Sequence, residues 1–269
     1  MARVELRNVC QVFADARKGH KTIALDNVSF SIGEQETVAL LGPSGCGKST
    51  VLNIIAGFFQ PSSGSAQMDG RPITAPGPDR GVVFQEHFLF HWLTVENNVA
   101  FALTLRGVSR KEYGQRAREF IRRVGLDGFG HYYPDELSGG MRQRVSIARV
   151  LINNPEILLM DEPFAALDAQ TRLMMQEWLL KLWELHRMSM LFITHDIDEA
   201  ILLADRIFVM GVRPGRIIDE IPVPLARPRG RAVLTSPTFM SLKVRCLDLI
   251  AEQSAKAFEG VQAQDVADV

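Results

Sequence analysis

The chain has 269 residues, of which 46% are hydrophobic and 23% are charged, and its formal net charge is -1. This length and composition fit one large α/β domain or two modest ones with a sizeable buried core. The near-zero charge excludes an overall basic footprint for nucleic acid, and no apolar run approaches the roughly 18 residues of a membrane span.

Cysteine usage also limits the class of protein. The cysteines, Cys10, Cys46 and Cys246, are odd in number, widely spaced and without a Cys-x-x-Cys pair. This pattern disfavours a disulfide framework and a zinc site, and it fits a reducing compartment. The first residues lack the apolar segment of a signal peptide. If the protein acts at a membrane, we therefore expect a partner to supply the spanning part.

The first part of the chain carries strand patterns and one helix pattern. Residues 3–9 and 23–32 alternate apolar and polar side chains, which predicts strands with one buried face. Residues 37–41 are continuously apolar and end at a glycine, as a buried parallel strand does. A glycine-rich turn and a helix up to Ala56 follow, and Gly57 is the predicted stop signal of this helix.

Residues 94–153 carry mostly helix signals, after a pattern for a buried strand at residues 81–84. Ser109 with Glu112 matches a capping box in front of apolar side chains at helical spacing. Ser138 is the predicted N-cap of a further helix, which ends before the next strand pattern. We interpret this helical stretch as an insertion within one α/β core.

Beyond residue 153 the strand and helix patterns alternate. The predicted strands are 157–160, 190–194 and 207–210, and the predicted helices are 169–187 and 196–204. Such alternation implies a mainly parallel sheet covered by helices. The basic stretch from Arg227 to Arg231 predicts a solvated turn, and Ser236-Pro237 predicts the start of a last amphipathic helix.

Residues 42–50 match the pattern G-x-x-x-x-G-K-[ST] between the apolar strand and the following helix. Glycines let backbone N–H groups turn inward around phosphate oxygens, and the N-terminus of the helix favours the same anion. Lys48 is placed to reach the β- and γ-phosphates, and the Ser49 hydroxyl to bind Mg²⁺. The pattern predicts an ATP-binding loop formed by Gly42, Pro43, Ser44, Gly45, Cys46, Gly47, Lys48, Ser49 and Thr50.

The apolar strand pattern at residues 157–160 ends in two carboxylates, Asp161 and Glu162. In enzymes with a phosphate loop, the first acid holds Mg²⁺ and the second can orient or deprotonate the attacking water. Alone, the pair fits solvated acids at a strand end equally well. In combination with the loop at residues 42–50, it predicts hydrolysis of ATP.

The segment from Leu137 to Gln143 decides the family resemblance. Ser138, Gly139 and Gly140 open a predicted helix, so a hydroxyl, bare N–H groups and the helix dipole all suit a second phosphate. Lying between the phosphate loop and the acidic strand, this segment resembles the signature of ABC (ATP-binding cassette) ATPases. The resemblance implies that two cassettes pair head to tail, with the signature of one closing over the nucleotide held by the other.

The resemblance runs from residue 3 to about residue 225 and implies an α/β fold. We expect a P-loop NTPase core with a mainly parallel sheet, an N-terminal antiparallel β subdomain and an inserted α-helical subdomain. The predicted ABC ATPase domain is residues 1–225, with its helical subdomain at about 94–153. Residues 226–269 are the predicted C-terminal helical tail.

Further positions take their roles from the family pattern. Gln85 matches the glutamine that contacts Mg²⁺ or the attacking water and links the site to the membrane partner. His195 matches the switch histidine at the γ-phosphate. Phe13 falls where the family stacks an aromatic ring on adenine. A long loop is predicted directly after it, at residues 14–21. Ala166–Asp168 match the D-loop, which crosses the dimer interface in the family, and Ala165 stands where its leading serine usually is. The implied sets are Lys48, Gln85, Glu162 and His195 for catalysis, Ser49, Gln85 and Asp161 for the metal, and Ser138, Gly139 and Gly140 for nucleotide binding in trans.

The resemblance also implies cofactors and partners. The cofactors are ATP and Mg²⁺. The partners are a second copy of the chain, integral-membrane permease subunits and, indirectly, an extracytoplasmic substrate-binding protein, but no nucleic acid. The expected location is the cytoplasmic face of the cell (inner) membrane, as a peripheral subunit. We interpret the aromatic segment His87–Trp92 as part of a groove for a partner helix, with core packing as the alternative.

Several segments are similar to the nitrate, sulfonate and taurine import subfamily, among them Glu162–Asp168, His195–Ala200 and Leu203–Ile207. We therefore expect an ATP-hydrolysing subunit that powers uptake of a small anion. None of these residues contacts the cargo, so the substrate follows only by association. Related cassettes for bicarbonate, cyanate or thiamine-precursor pyrimidines share the pattern.

Two other classes of protein share part of this sequence pattern. Soluble ABC ATPases of DNA repair or translation share the motifs, but the repair type has a long coiled coil before the signature and the translation type fuses two cassettes. A non-hydrolysing regulatory subunit is disfavoured because Glu162 and His195 are both present. One reactivity is also predicted, since Cys46 at a helix N-terminus is expected to have a lowered thiol pKa and to be alkylated unless ATP protects it.

Overall fold

A computed structural model describes residues 2–14 and 21–267 of the chain. The strands in these residues are β1 (Ala2–Ala14), β2 (Lys21–Gly33), β3 (Thr37–Leu41), β4 (Ser63–Met68), β5 (Arg71–Pro72), β6 (Arg80–Val83), β7 (Ile157–Asp161), β8 (Ser189–Thr194), β9 (Arg206–Gly211) and β10 (Arg216–Pro222). The α-helices are α1 (Lys48–Ala56), α2 (Val95–Leu105), α3 (Arg110–Arg123), α4 (Gly139–Leu151), α5 (Ala169–His186), α6 (Ile197–Leu203) and α7 (Pro237–Ala267).

The described residues divide into two compact units, of which the first combines the chain up to Pro76 with the chain from Ser189 onward. This unit contains an antiparallel sheet with the strand order β2-β1-β4-β5, which confirms the expected N-terminal antiparallel subdomain. Strands β1 and β2 are longer than predicted, because they pair along nearly their whole length. Most of the loop predicted to be long, residues 15–20, lies outside the described residues.

The first unit also contains a parallel arrangement centred on β3. Strands β8 and β9 flank β3 in parallel, and β10 pairs with β9 in the antiparallel direction. Both β3 and β8 are buried along their full length, which explains their continuous apolar sequences. In this register Leu41 pairs with Thr194 and with Val209, so β3 and β8 end at one edge of the sheet, while β9 continues two residues further to Gly211.

The second unit, Gly77–Met188, holds the parallel strands β6 and β7 and helices α2 to α5. Its helices begin where the sequence predicts, because Ser109 and Ser138 accept hydrogen bonds from the N–H groups of Glu112 and Met141. Helices α2 to α4 fall within the predicted insertion. The domain boundaries themselves stay a prediction.

The C-terminal segment corrects one sequence-based prediction. The basic stretch 227–231 is not a solvated turn, because only 6% of Arg229 is exposed and its guanidinium donates to several backbone carbonyls. The final helix begins as predicted at Pro237, and the Ser236 hydroxyl accepts from the N–H of Phe239. Of the helices in the described part of the chain, none has the length and apolarity to cross a membrane.

Candidate functional site

The predicted phosphate loop lies between β3 and α1, as the motif requires. The N-cap of α1 is Gly47, whose φ of 99° is in the left-handed region, and in the described structure no side chain caps this helix. A Cβ on Gly47 would lie 2.7 Å from Leu25 Cδ2, so this position needs a glycine for space as well as for conformation. The helix N-terminus therefore keeps its N–H groups and its positive dipole end for an anion.

Lys48 is held inside the loop it is predicted to serve. Only 5% of this residue is exposed, and its ammonium donates to the carbonyl oxygens of Gly42 at 2.8 Å and Pro43 at 2.9 Å. Ser44, Gly45 and Ser49 are exposed on the same loop. A buried ammonium next to exposed N–H groups and a hydroxyl is the arrangement that binds a polyphosphate.

The structure contradicts the predicted reactivity of Cys46. The residue is 1% exposed, and burial raises the pKa of its thiol, an effect larger than the opposing one of the nearby Lys48 ammonium. Its Sγ would lie 2.9 Å from a Cβ on Gly42, so the sulfur packs against the base of the loop. The helix dipole argument fails here because it favours the thiolate only where water or a ligand can reach the sulfur.

His195 shares one sheet edge with the phosphate loop. It follows directly after Thr194, the residue that pairs with Leu41 at the end of β3, and its side chain is exposed. Asp196 behind it caps α6, accepting from the N–H of Glu199 at 3.1 Å. The strand register therefore directs His195 and Gly42 to neighbouring positions, as a role at the γ-phosphate requires.

Phe13 is an exposed aromatic side chain at the end of β1. Its ring is 39% exposed and meets Phe59 edge to face, with the ring centroids 5.7 Å apart. Exposure of the ring leaves a surface for a base to stack on. Sequence reasoning missed Phe59, although the pair Phe58-Phe59 just after a helix stop is itself an unusual aromatic signal.

Gln85, Asp161 and Glu162 come together in the second unit through the pairing of β6 with β7. Val83 pairs with Met160, so Asp161 ends β7, Glu162 follows it, and Gln85 lies beyond the end of β6 at the same edge. Gln85 is exposed, and both acids are partly exposed. Glu162 has a φ of 44°, a conformation that non-glycine residues adopt at a cost. The edge thus presents an amide and two carboxylates in the order predicted for hydrolysis.

The signature segment forms the N-terminus of α4. Ser138 is exposed, and its Oγ accepts from the N–H of Met141 at 3.3 Å. Arg142 donates to the Leu137 carbonyl at 2.7 Å and fixes the chain that enters the helix. Gly140 is buried, and a Cβ there would lie 2.9 Å from Thr171 of α5. The glycine is therefore needed for helix packing as well as for any approach of phosphate.

The D-loop has a clear local role. Asp168 caps α5, accepting from the N–H groups of Gln170 and Thr171 at 3.1 and 3.0 Å. The hydrogen bonds from Thr171 are the main reason that the pKa of Asp168 is lowered. These hydrogen bonds give the Asp168 carboxylate a role within its own chain, as the cap of α5.

In the aromatic segment after Gln85, Phe88 and Trp92 are exposed, whereas Leu89 is buried and Phe90 is half-buried. Phe88 is 59% and Trp92 is 73% exposed, which argues against core packing as their role. Arg149 of α4 donates to the carbonyls of Phe88 and His87 at 2.7 and 3.1 Å, and its guanidinium lies 5.7 Å from the centroid of the Phe90 ring. Sequence reasoning had no signal for Arg149, which ties this segment to the helix that the signature begins.

The proposed metal ligands fit Mg²⁺ by their chemistry. Ser49, Gln85 and Asp161 offer a hydroxyl, an amide oxygen and a carboxylate, and Mg²⁺ prefers a few such oxygens together with water and phosphate. Among the described residues, no group of three or more His, Cys, Asp and Glu side chains forms a dedicated metal cage. This donor set suits an ion that arrives with the nucleotide.

Comparison with known families decides the class of protein. The family model described as ABC transporter matches residues 25–165, more than half of the chain. The chain belongs to the ABC transporter family. The match begins in β2 and includes the phosphate loop, the signature and the acidic strand. The predicted ABC ATPase is thereby confirmed, and the chain is an ATP-hydrolysing cassette.

Several curated relatives match this cassette over most of their length. An uncharacterised ABC transporter ATP-binding protein of Methanocaldococcus jannaschii is 45% identical over 96% of this chain and 94% of that protein. A taurine import ATP-binding protein of Rhizobium johnstonii is 50% identical over 86% and 90%. An aliphatic sulfonates import ATP-binding protein of Bacillus subtilis is 47% identical over 87% and 89%. These relatives confirm the resemblance to the import subfamily.

A solved structure is similar to the cassette in fold. It is the dimeric, post-hydrolysis state of an ATP-binding cassette bound to ADP and Pi, which is 34% identical to this chain with a TM-score of 0.71. The similarity covers 83% of this chain and 100% of that one. It confirms the α/β cassette fold, while the roles of individual residues in this chain stay predictions.

Proposed function

We propose that this cassette powers uptake of a small anion, with taurine and alkanesulfonates as the first candidates and nitrate as the next. The observation that carries the proposal is the 50% and 47% identity to relatives named for taurine and sulfonate import, over more than four fifths of the chain. Bicarbonate, cyanate and thiamine-precursor pyrimidines are the alternatives, because the cassette itself does not contact the cargo.

Uptake measurements test the substrate. A host strain from which the gene for this chain has been deleted receives either the unaltered chain or its Glu162→Gln variant. Labelled taurine, alkanesulfonate and nitrate are then supplied in turn. We expect uptake of one of these anions only with the unaltered chain. Uptake of bicarbonate, cyanate or a pyrimidine alone would contradict the proposal. Co-purification with ribosomes or DNA, and with no membrane protein, would instead favour a soluble ABC ATPase.

We propose the following roles for the site residues. Lys48 and the N–H groups of the loop hold the β- and γ-phosphates, and Ser49, Asp161 and Gln85 would hold Mg²⁺, which would supply positive charge against the phosphates. Glu162 takes the proton of the attacking water. His195, at the sheet edge beside the loop, contacts the γ-phosphate and stabilises the charge that develops on it.

Replacement of the proposed base tests this scheme. Glu162→Gln keeps the shape of the side chain but removes the proton acceptor, so we expect turnover to fall by roughly 10²- to 10⁴-fold. ATP binding should persist, and an ATP-bound dimer should accumulate on size exclusion. Glu177, on α5, is a control whose change to Gln should leave turnover unaltered. Turnover of Glu162→Gln at the rate of the unaltered chain would remove Glu162 from the mechanism.

We propose further that each nucleotide is shared between two copies of the chain. The phosphate loop of one copy and Ser138, Gly139 and Gly140 of the other form the site, in keeping with the dimeric state of the solved relative. Lys48→Ala and Ser138→Arg should each inactivate a homodimer. A mixture of the two variants should regain activity, because the mixed dimer contains one site with both parts intact. A mixture as inactive as its components would contradict sharing.

The exposed aromatic groove of the second unit is the proposed docking site for the permease. Phe84, Phe88, Phe90 and Phe101 line it together with Arg149. Exposed rings beside an arginine suit a short amphipathic helix, which would place the cassette at the cytoplasmic face of the membrane. A substrate-binding protein would then act on the far side of the permease.

Loss of docking can be separated from loss of ATPase activity. Phe88→Ala should reduce co-purification of the membrane subunits, because it removes an exposed apolar contact, and it should leave ATP binding intact. Leu185→Ala, at a side chain that is 78% exposed on α5, serves as a control for loss of apolar surface elsewhere. Unchanged co-purification of the Phe88 variant would move the docking site away from this groove.

A further inference from the structure

The short helix α6 begins two residues after His195 and spans only seven residues, Ile197–Leu203. Isolated helices of fewer than roughly 12 residues are marginal in water, so α6 depends on tertiary contacts for its stability. Its second half is fully buried. What holds the two ends of this helix therefore decides where the segment around His195 lies.

The carboxyl end of α6 is held by two arginines from the segment after β10. A helix leaves its last four carbonyl groups without partners inside the helix. The Arg229 guanidinium donates to three carbonyls at this end, those of Ile201, Leu202 and Ala204, at 3.3, 3.3 and 2.5 Å. Arg227 donates to the remaining carbonyl, that of Leu203, at 2.8 Å. Positive charge here also complements the helix dipole.

Arg229 joins this helix end to the chain that follows β10. Its Nε donates to the Leu225 carbonyl at 3.0 Å and its Nη2 to the Val223 carbonyl at 3.3 Å, while Asp205 lies 3.6 Å away. Only 1% of the side chain is exposed. Burial lowers the pKa of the guanidinium to about 10, so it remains charged at neutral pH. A lysine carries its donors on one atom and cannot bridge carbonyls in these directions.

The amino end of α6 is held next to His195 itself. The N–H of Asp196 donates to Thr194 Oγ1 at 3.0 Å, and the Thr194 hydroxyl donates to Glu199 Oε2 at 3.1 Å. From α7, Lys243 donates to Asp198 Oδ2 at 2.8 Å. The backbone on both sides of His195 is thereby bound into the first turn of the helix.

We propose that Arg229, together with Arg227 and Lys243, positions His195 for the reaction at the γ-phosphate. The C-terminal segment contacts both ends of α6, and the short helix transmits this restraint to His195, two residues before its start. Arg229 is a positioning residue in this scheme, since it contacts no nucleotide. The inference rests on the proposed role of His195.

A double-mutant cycle in the full chain tests the proposal. Arg229→Lys and Lys243→Met are each made alone and with His195→Ala, and kcat and KM for ATP are measured, by single turnover where activity is low. We expect Arg229→Lys to lower kcat by roughly 10- to 100-fold, the scale of a misplaced reacting group. The KM for ATP should stay unchanged because the phosphate loop is unaltered. Arg7→Lys, at an exposed arginine bound to Glu5, is the matched control.

The decisive measurement is the effect of Arg229→Lys on kcat in a chain that already carries His195→Ala. With His195→Ala already present, Arg229→Lys should cost less than about twofold in kcat, because coupled residues are non-additive. An equal loss in both backgrounds, or no loss in either, would overturn the positioning role. Turnover of His195→Ala alone at the unaltered rate would instead refute the role of His195, so the two failures are distinguishable.

Lys243→Met keeps the test decisive if the Arg229 variant does not fold. The Lys243 ion pair with Asp198 is partly exposed, at 33% and 47% of the two side chains, so its loss should be tolerated by the fold. We expect a loss of kcat of roughly threefold that disappears in the His195→Ala background. A loss that persists there would contradict the proposal.

Discussion

Two helix N-termini of this cassette contain glycines and are proposed to bind phosphate, and they are built in opposite ways. Helix α1 begins at Gly47 in a left-handed conformation, and no side chain among the described residues caps it. Helix α4 begins at Ser138, whose own hydroxyl accepts from the N–H of Met141. The first helix keeps its N–H groups for an anion, whereas the second satisfies one of them internally.

The difference teaches how each end takes part in binding. At α1 a buried ammonium, Lys48, is already held at the loop by two carbonyl groups. At α4 the glycines pack against neighbouring chain, and Ser138 is exposed. The proposed phosphate loop therefore holds its own ammonium in place without help from a second copy. The start of α4 is capped and packed within its own chain, and in the proposed mechanism it serves a nucleotide presented by a second copy.

Removal of the loop ammonium should have the largest effect. We expect Lys48→Ala to lower turnover by roughly 10³-fold, because it deletes the positive charge at the transferred phosphate. Lys181→Ala, at an exposed lysine of α5, should leave turnover unchanged. Steady-state ATPase assays provide the measurement. Turnover above a tenth of normal in the Lys48 variant would mean that the phosphate loop does not provide the main phosphate contact.

The glycine at the start of α1 should be the next most sensitive position. Gly47→Ala places a Cβ 2.7 Å from Leu25 Cδ2 at a φ of 99°, so we expect a loss of about 3 kcal/mol in the free energy of unfolding. Gly45→Ala, with a φ of 77° and no atom within 4 Å, is the control and should lose about 1 kcal/mol. Urea unfolding distinguishes them, and equal losses would contradict the packing argument.

Thiol chemistry can show whether the base of the loop is closed. Because burial raises the pKa of Cys46, the thiolate fraction at neutral pH is reduced. In a Cys10→Ala background we expect alkylation of the folded chain to be at least about tenfold slower than after unfolding, and to speed up as the pH rises. Mass spectrometry locates the label. Fast labelling of Cys46 at neutral pH, slowed by ATP, would restore the reactive cysteine predicted from sequence.

Removal of the signature cap should have the smallest effect on the isolated chain. Ser138→Ala loses one capping hydrogen bond, so we expect about 1 kcal/mol less stability. The affinity of the monomer for ADP should not change, because its own phosphate loop does the binding. Calorimetric titration with ADP and thermal unfolding test both parts. Weaker binding of ADP by the monomer would show that the signature also serves its own chain.

Prediction from sequence succeeded where one local rule acts alone. Buried strands such as β3, β7 and β8 are continuous apolar runs, and serine caps at Ser109 and Ser138 fall where helices begin. It missed β4, β5 and β10, in which most side chains are not buried, so that pairing with a neighbouring strand defines them. Hydrophobic patterns carry no information about such pairing.

The candidate site shows the same division. Spacing alone identified the loop at 42–50, the acids at 161 and 162 and the segment at 137–143, because each chemistry requires its residue types within a few positions. The sequence did not reveal three supporting residues that contact distant parts of the chain, namely Phe59, Arg149 and Arg229. Their contacts arise only when strands and helices are packed, so no local pattern announces them.

The sequence by itself determined that this chain binds ATP and belongs with the ABC cassettes, since the residues that match the phosphate-loop motif are consecutive and the family segments follow a specific order. Tertiary structure alone decided which polar groups are available to that chemistry. Burial raised the pKa of the Cys46 thiol and covered its sulfur, and it turned Arg229 from a predicted solvated arginine into the partner of five carbonyls. Solvent exposure depends on what packs against a residue, and only the folded chain supplies that.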